Sequence, residues 1–357
     1  MKNNTLKHFI RNLMKVEPNK SPMVSCFLNL EGSRREQINQ FIYECSENCK
    51  RLSGKWLEDF EAAQARMSEY LSYDLEVKTQ SVVRYARAGE NPVFEAMQFE
   101  VPLKSQLLID RLPHIYPLIE LKDTYHRFVI IITTETPARI LETTIGSVTE
   151  EILATRPELR QRIGREWTQE HYRNHKFEKE QQFIKEKIGI VDKLMAKGGH
   201  NHLIVAGSPN MVSRLTNALP DRLKSKLVSK LTQNPHGGLG PLLRNCILEF
   251  SAAENQESHD YVSALQSAVL SGGLGTIGFE ASRDALLFNY ADLLIIDQEF
   301  TNWEGREELV RLAMDSKIQI ETVADSEKLK QLGGVGCLLR YRPSFSLASI
   351  ELIQQSA

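Results

Sequence analysis

The sequence is poor in the features that mark several specialised classes of protein. It has five Cys in 357 residues, and their spacing is typical of neither a metal site nor a disulfide framework. No apolar run reaches the roughly 18 residues that a membrane span needs, and the opening residues, MKNNTLKHFIRNLMK, lack the apolar core of a signal peptide. Long-period repeats and low-complexity tracts are also missing. These absences argue against secreted, membrane-spanning and fibrous classes, and few cysteines favour a cytoplasmic protein.

The remaining composition is that of an ordinary globular chain. Hydrophobic residues make up 41% and charged residues 25% of the sequence, which are average proportions. The 44 Lys and Arg nearly balance the 46 Asp and Glu, for a net charge of −2. Because this balance gives no overall attraction to nucleic acid, any contact with RNA must come from a local basic patch. The length predicts two or three domains.

One basic patch lies near the middle of the chain, at residues 156–176. It contains six Lys and Arg against three Glu, with two His besides. In the residues that follow, apolar side chains recur at three- and four-residue spacing from Phe177 to Met195, which predicts an amphipathic helix. The sequence therefore predicts a basic projection mounted on a helix, with the rest of the chain as its scaffold.

The candidate RNA-binding residues lie in this projection and in the turn after the first strand. Arginine is always charged and binds phosphate through two parallel hydrogen bonds, while aromatic rings stack on bases. The candidates are Arg156, Arg160, Gln161, Arg162, Gly164, Arg165, Trp167, His171, Tyr172, Arg173, Arg34 and Arg35. The alternative for the projection is a solvated loop with Trp167 folded into the core.

Strands and helices alternate along the chain, which predicts a layered α/β fold. The predicted domains are residues 1–122, 123–240 and 241–357. A long helical region is expected from Arg34 to about Tyr73, and a buried strand at Phe128–Thr133 with a hairpin partner at Ala138–Ile145. Further helices are expected at Asp221–Leu231 and Leu242–Leu270.

Motifs in the third domain resemble those of a known family. A strand ADLLIID, a helix, a strand IQIETV and the segment LGGVGCLLRYRP follow one another. This order resembles the C-terminal domain of the archaeal and eukaryotic class I release factors and of Pelota. In the second domain, HLIVAGSPNMVSRL resembles the family's strand, Ala-Gly-Ser turn and helix. The chain is identified as a bacterial relative of this group, closest to the Balon-like ribosome hibernation factors.

The resemblance implies a three-domain α/β architecture in which each domain is a layered sandwich. The first domain would face the decoding centre and the second the peptidyl-transferase centre. The third, similar to kink-turn-binding proteins, would face a translational GTPase. The implied partners are the A site of the 70S ribosome, through 16S and 23S rRNA, and elongation factor Tu. No membrane, DNA, metal or cofactor is expected.

The sequence departs from the family at the catalytic site. Release factors carry a Gly-Gly-Gln tripeptide at the place where this chain has Ile163-Gly164-Arg165-Glu166-Trp167, and the tripeptide occurs nowhere in the sequence. The codon-reading Asn-Ile-Lys-Ser motif is also missing. The resemblance therefore implies a factor that fills the vacant A site with elongation factor Tu and silences idle ribosomes under stress, without being an enzyme. The alternatives are a peptidyl-tRNA hydrolase that uses Gln161 or Gln169, and a Pelota-like adaptor on stalled ribosomes.

Two other patterns admit a functional and a structural interpretation. His171 and His175 are four residues apart on a predicted helix and could share a metal, but Tyr172 stands where the zinc-protease pattern needs Glu, which favours a polar pair. Gly275 and Gly278 precede a helix without the Lys-Ser/Thr ending of a phosphate loop, which favours a tight turn.

Overall fold

The computed structural model describes residues 3–125, 128–133, 137–144, 147–155, 169–198, 200–232 and 239–341. Contacts within the chain divide it into two compact units. The middle unit is Tyr125–Glu254, and the terminal unit joins Lys2–Thr124 to Asn255–Ala357. The predicted domain boundaries at residues 122 and 240 stay predictions.

The first half of the terminal unit is built on an antiparallel sheet. Its elements are α1 (Asn3–Met14), β1 (Met23–Asn29), α2 (Arg34–Cys49), α3 (Lys55–Tyr73), β2 (Ser81–Arg87), β3 (Val93–Phe99), β4 (Gln106–Asp110) and α4 (Tyr116–Thr124). The strands lie in the order β3-β2-β1-β4. Phe41, Phe60 and Met67 of α2 and α3 are buried against one face of the sheet. On the other face Tyr85 contacts Phe9 of α1, with ring centroids 6.0 Å apart.

The middle unit is a sandwich of helices on both faces of a sheet. Its elements are β5 (Phe128–Thr133), β6 (Pro137–Thr144), β7 (Ser147–Thr155), α5 (Gln169–Gly198), β8 (His202–Gly207), α6 (Pro209–Ala218), α7 (Asp221–Lys224), β9 (Leu227–Thr232) and the first part of α8 (Leu239–Leu270). The strand order is β7-β6-β5-β8-β9, with β5, β8 and β9 parallel. Successive residues of β5 face opposite layers. Val129 and Ile131 pack against α5 and α6, whereas Phe128 and Ile130 pack against α8.

The second half of the terminal unit is a third sheet. Its elements are the rest of α8, β10 (Gly275–Ile277), α9 (Phe279–Leu287), β11 (Ala291–Asp297), α10 (Trp303–Asp315), β12 (Gln319–Val323), α11 (Glu327–Gln331) and β13 (Val335–Leu339). The order is β10-β13-β11-β12, and β11 runs parallel to β12. Val262 and Leu265 of α8 share a core with Ile295 of β11. Three sheets, each packed against helices, confirm the predicted α/β class.

Two predicted elements differ from those observed, and one observed strand was not predicted. The region from Arg34 to Tyr73 is two helices, because the chain breaks at residues 50–54, where Gly54 has a φ of +59°. The predicted helix Asp221–Leu231 is wrong, since a four-residue α7 is followed by β9. Leu227 packs on one side of the sheet and the next residue, Val228, packs on the other, as successive residues of an extended strand between two layers do. Strand β7 had no predicted counterpart, although it pairs with β6 along its length.

The remaining predicted strands and helices of these ranges lie within a few residues of their observed positions. Among the described residues, no helix combines the length and the apolar content that a bilayer crossing requires.

Candidate nucleic-acid interface

The predicted basic projection connects β7 to α5. Strand β7 ends at Thr155 and α5 begins at Gln169. The intervening candidates lie outside the described residues: Arg156, Arg160, Gln161, Arg162, Gly164, Arg165 and Trp167. Three further candidates, His171, Tyr172 and Arg173, belong to the first turns of α5, where the structure describes the backbone. The part of the predicted loop from Gln169 onward is therefore helical.

Helix α5 is anchored to the sheet through its second half. Ile184, Val191 and Met195 are buried in the core that the helix shares with β5 and β8, as their helical spacing predicted. Among the side chains of α5 that the structure describes, Phe183 is the first that is buried. At 1.5 Å per residue, the helix rises roughly 21 Å between Gln169 and Phe183. The first residue of the helix therefore lies about four turns before Phe183.

A buried lysine joins α5 to the end of β5. Lys187 is 0% exposed, its Nζ donates a hydrogen bond of 2.6 Å to Oγ1 of Thr133, and the same Nζ lies 3.9 Å from the centroid of the Phe183 ring. The hydroxyl of Thr133 and the ring of Phe183 thus replace water around the ammonium group of Lys187. The sequence carries a signal for this contact, although Lys187 was not among the predicted site residues. Lys187 lies four residues after Phe183 and four before Val191, on the apolar stripe of the helix.

The Ala-Gly-Ser turn permits a close approach of two parallel strands. Gly207 ends β8 with a φ of +141°, and a Cβ built on it would lie 1.9 Å from the carbonyl oxygen of Thr133. The N–H of Ser208 donates a hydrogen bond of 3.3 Å to that oxygen. Only glycine fits between the strand ends, so this part of the motif fixes where α6 starts relative to Lys187 and α5.

The histidines near the start of β8 have structural partners. His200 is buried, and its Nε2 lies 3.0 Å from Oε1 of Glu142. Nε2 of His202 lies 3.4 Å from Oε1 of Glu254. The predicted His171–His175 pair belongs to the part of α5 whose side chains lie outside the described residues. In the terminal unit, Gly278 has a φ of +84° immediately before α9, which confirms a tight turn there.

The two other candidate arginines begin α2, and the structure gives them different surroundings. Nη2 of Arg34 lies 2.9, 2.7 and 2.9 Å from the carbonyl oxygens of Glu76, Val77 and Thr79. Arg35 is exposed. The guanidinium of Arg34 therefore serves the protein's own backbone, while Arg35 is accessible to a partner.

Charge is distributed unevenly between the parts of the chain. Residues 125–254 contain 19 Lys and Arg against 14 Asp and Glu, a net charge of +5. Residues 255–341 contain 7 Lys and Arg against 14 Asp and Glu, a net charge of −7. The excesses of +5 and −7 nearly cancel, so the net charge of the whole chain does not reveal them. Attraction to phosphate is expected from the middle unit and not from residues 255–341.

Comparison with known proteins agrees with the predicted relationship. Residues 113–249, which include β5 to α7, β9 and the start of α8, match the family described as bacterial archaeo-eukaryotic release factor family 10. A comparison with curated proteins found no match. For these residues, the match agrees with the predicted resemblance to the archaeo-eukaryotic release factor group.

Several solved structures are similar to the chain. The archaeal translation termination factor aRF1 is 18% identical, with 96% of this chain and 99% of that chain covered and a TM-score of 0.29. Archaeoglobus fulgidus Pelota is 18% identical, with 73% and 80% covered and a TM-score of 0.38. A ribosome-bound archaeal Pelota, determined with ABCE1, is 13% identical, with 96% of each chain covered and a TM-score of 0.46.

Proposed function

We propose that this chain is a ribosome-binding factor that occupies the vacant A site of idle ribosomes without releasing peptide. One observation carries the proposal. The family match covers residues 113–249, yet the place of the group's catalytic tripeptide within them holds Ile163-Gly164-Arg165-Glu166-Trp167. Relationship to release factors supports a role at the ribosome, and loss of the tripeptide supports a role without hydrolysis.

The charge of the middle unit supports contact with ribosomal RNA. Its excess of +5 includes the arginines between Thr155 and Gln169, and arginine suits dense phosphate because it is always charged and binds with two bonds. The anchored second half of α5 provides a fixed base for this segment. Elongation factor Tu as a partner, and silencing of ribosomes under stress, are the finer parts of the proposal and rest on the resemblance to the Balon-like factors.

Sedimentation through sucrose with purified 70S ribosomes tests the proposal. We expect the protein to sediment with vacant ribosomes and to remain in the supernatant when tRNA fills the A site. Elongation factor Tu is added to half of the tubes to test its contribution. Sedimentation that is equal with vacant and filled A sites would contradict binding at the A site, and no sedimentation in any tube would contradict ribosome binding.

A peptide-release assay separates this function from the hydrolase alternative. Ribosomes carrying labelled peptidyl-tRNA are incubated with the wild type and with a Gln161→Ala/Gln169→Ala double variant. We expect no release by either protein. Release by the wild type that is lost in the double variant would establish the hydrolase instead. Separation of subunits only when a splitting factor is added with the protein would establish the Pelota-like adaptor.

The salt dependence of ribosome binding tests the basic projection. Each phosphate neutralised contributes about 0.7–0.9 to the slope of log affinity against log salt. We expect Arg160→Ala, Arg162→Ala and Arg165→Ala together to flatten this slope. A triple variant of the exposed lysines Lys50, Lys104 and Lys328 is the control, and it should keep the wild-type slope. An unchanged slope in the arginine variant would show that the projection does not touch RNA.

A further inference from the structure

The loop between α3 and β2, residues 74–80, is held from one side by an arginine. As described above, the Nη2 of Arg34 lies within 2.7–2.9 Å of the carbonyl oxygens of Glu76, Val77 and Thr79. Three carbonyls that would otherwise point in independent directions converge on one charged donor. Hydrogen bonds that involve a charged group are roughly twice as strong as neutral ones, so Arg34 restrains the backbone of this segment. We call residues 74–80 the clamped loop.

A glutamine holds the same loop from the sheet. Oε1 of Gln98, on β3, accepts hydrogen bonds from the N–H of Glu76 at 2.9 Å and from the hydroxyl of Thr79 at 2.5 Å. Its Nε2 donates to the carbonyl of Asp74 at 2.7 Å and to the Tyr70 hydroxyl at 2.9 Å. Both ends of the amide are used, so the side chain has one orientation only. The clamped loop is therefore preorganised by two side chains from different elements.

The restrained loop presents apolar side chains to solvent. Val77 at its turn is 92% exposed, and Tyr73, the last residue of α3, is 83% exposed. In contrast, Leu75 packs against the core and Thr79 is buried. Ordering a surface loop costs conformational entropy. Because the side chains of Tyr73 and Val77 are exposed, they bury little apolar surface that could offset this cost. This combination is expected of a surface that is preorganised for a partner.

We propose that the clamped loop, with Tyr73 as a stacking platform, binds single-stranded RNA. The inference rests on the ribosome-binding function proposed above and names a second RNA contact for it. Aromatic side chains on rigid supports stack on unpaired bases of any type, and tyrosine loses little entropy because it has two side-chain torsions. Val77 provides an adjoining apolar contact for a base or a ribose.

The charges around the loop make this contact different from that of the basic projection. Arg35 and Lys78 are exposed, and neither forms an ion pair with the residues that the structure describes. Asp74 and Glu76 are exposed as well, so the four exposed charges cancel one another. Stacking then supplies most of the affinity, and the contribution of the loop depends only weakly on salt.

Arg34 becomes a positioning residue under this proposal. It was predicted to touch RNA, but its guanidinium faces the carbonyls of the clamped loop. Lysine has the same charge but lacks the planar guanidinium with its several N–H donors. Arg34→Lys should therefore weaken the restraint on the clamped loop without changing Tyr73 itself. We expect faster hydrogen exchange in residues 76–80 and weaker RNA binding. Unchanged exchange together with unchanged binding would contradict the positioning role.

Anisotropy of a labelled 12-nucleotide single-stranded RNA tests the stacking platform in the full chain. We expect Tyr73→Ala to raise the Kd by roughly 5- to 150-fold, the range for losing one base–aromatic stack, with no change in the salt slope. The control is Tyr43→Ala on α2, a tyrosine that is 60% exposed, whose Kd should stay within about twofold because an isolated exposed side chain contributes little. The comparison is repeated in the Arg160→Ala/Arg162→Ala/Arg165→Ala background, where the effect of Tyr73→Ala should persist.

Each outcome decides the proposal. Equal affinity of the wild type and Tyr73→Ala, or no binding of the oligomer by the wild type, overturns it. Loss of ribosome sedimentation in Tyr73→Ala with unchanged oligomer binding also overturns it, because the loop would then contact a ribosomal protein. Oligomer binding that depends on Tyr73 in a chain that does not sediment with ribosomes supports the loop's role and contradicts the ribosomal function.

Discussion

The carboxylate of Glu307 on α10 accepts hydrogen bonds from the backbone N–H groups of Ile115 and Tyr116, at 2.8 and 3.1 Å. These donors lie at the start of α4, where a helix cannot satisfy its own first N–H groups. Burial raises the pKa of Glu307, and the guanidinium of Arg311, with Nε 3.4 Å from the carboxylate, opposes that rise. The start of α4 is thus stabilised by a residue almost 200 positions away, within the terminal unit.

Removal of this carboxylate should destabilise the terminal unit. Glu307→Ala leaves two buried N–H groups without their acceptor and removes the ion-pair partner of Arg311. We expect the free energy of unfolding to fall by about 2–4 kcal/mol. Urea denaturation and hydrogen exchange of α4 measure the effect. The control is Glu308→Gln on the same helix, a partly exposed residue that pairs with Arg283, and it should cost clearly less than Glu307→Ala because exposed ion pairs contribute little. Equal losses in the two variants would show that Glu307 is not a special partner of α4.

The stability of the terminal unit should decrease with pH below neutrality because of His114. Its ring contacts Trp303, and Nε2 lies 3.3 Å from Asp110 while Nδ1 lies 3.9 Å from Glu307. Burial lowers the pKa of His114 from its ordinary value of 6.5. The negative charge of Asp110 opposes this shift, and the positive charges of Arg311 and Arg306 add to it.

Protonation of His114 should therefore lower the stability of the fold. Since the folded chain binds this proton less readily than the unfolded chain, stability is full above pH 6.5 and declines as the pH falls through the folded pKa. We expect His114→Gln to flatten this part of the pH profile of unfolding, whereas replacement of the exposed His8 by Gln should leave it unchanged. A profile that is the same in the wild type and His114→Gln would exclude His114 as its source.

Two glycines of the middle unit should respond oppositely to alanine. Gly207→Ala places a Cβ 1.9 Å from the carbonyl oxygen of Thr133 at a φ of +141°, so we expect a loss of roughly 2–4 kcal/mol. Gly189, on α5, has open space around its Cβ position, and Gly189→Ala should stabilise the helix by up to about 1 kcal/mol. Hydrogen exchange of β5 and β8 measures both. Equal tolerance of the two changes would contradict the close approach of the strands.

Thiol labelling should find one accessible cysteine in the native chain. Burial raises the pKa of Cys45, Cys246 and Cys337 to about 12, so at pH 8 only about one in ten thousand of each is a reactive thiolate. Cys26 is buried as well, and burial raises its pKa. A disulfide reagent should therefore label Cys49 alone before unfolding and all five cysteines after it. Cys49→Ser should abolish native labelling, and rapid labelling of a second thiol would show that the cores open readily.

Much of the fold could be predicted because its signals lie in neighbouring residues. The run of apolar residues in β5 predicted a strand that is covered on both faces, and the stripe from Phe183 to Met195 predicted the buried side of α5. The Gly-containing turns before α6 and α9 were also predicted, since φ values above zero select glycine. The resemblance to release factors was inferred from short motifs in their order along the chain, and the match of residues 113–249 agrees with it.

The errors share one physical cause. The stretch from Asp221 to Leu231 has residues that suit a short helix, and only its position between two layers, with β8 alongside, made β9 extended. The candidate site was predicted in part. Arg34 was chosen for its charge, but the carbonyls that it binds are more than 40 positions away. Lys187 was passed over because lysine is rarely buried.

Local sequence patterns specify the alternation of strands and helices, the buried faces of β5 and α5, the position of the basic segment and the missing tripeptide. Each of these features depends on residues that are adjacent or one helical turn apart in the sequence. The tertiary structure alone decided that Lys2–Thr124 and Asn255–Ala357 form one unit, that Glu307 begins α4, and that Arg34 faces inward while Tyr73 faces solvent. These outcomes depend on hydrogen bonds and burial between residues far apart in the chain. A local sequence pattern does not predict such partners.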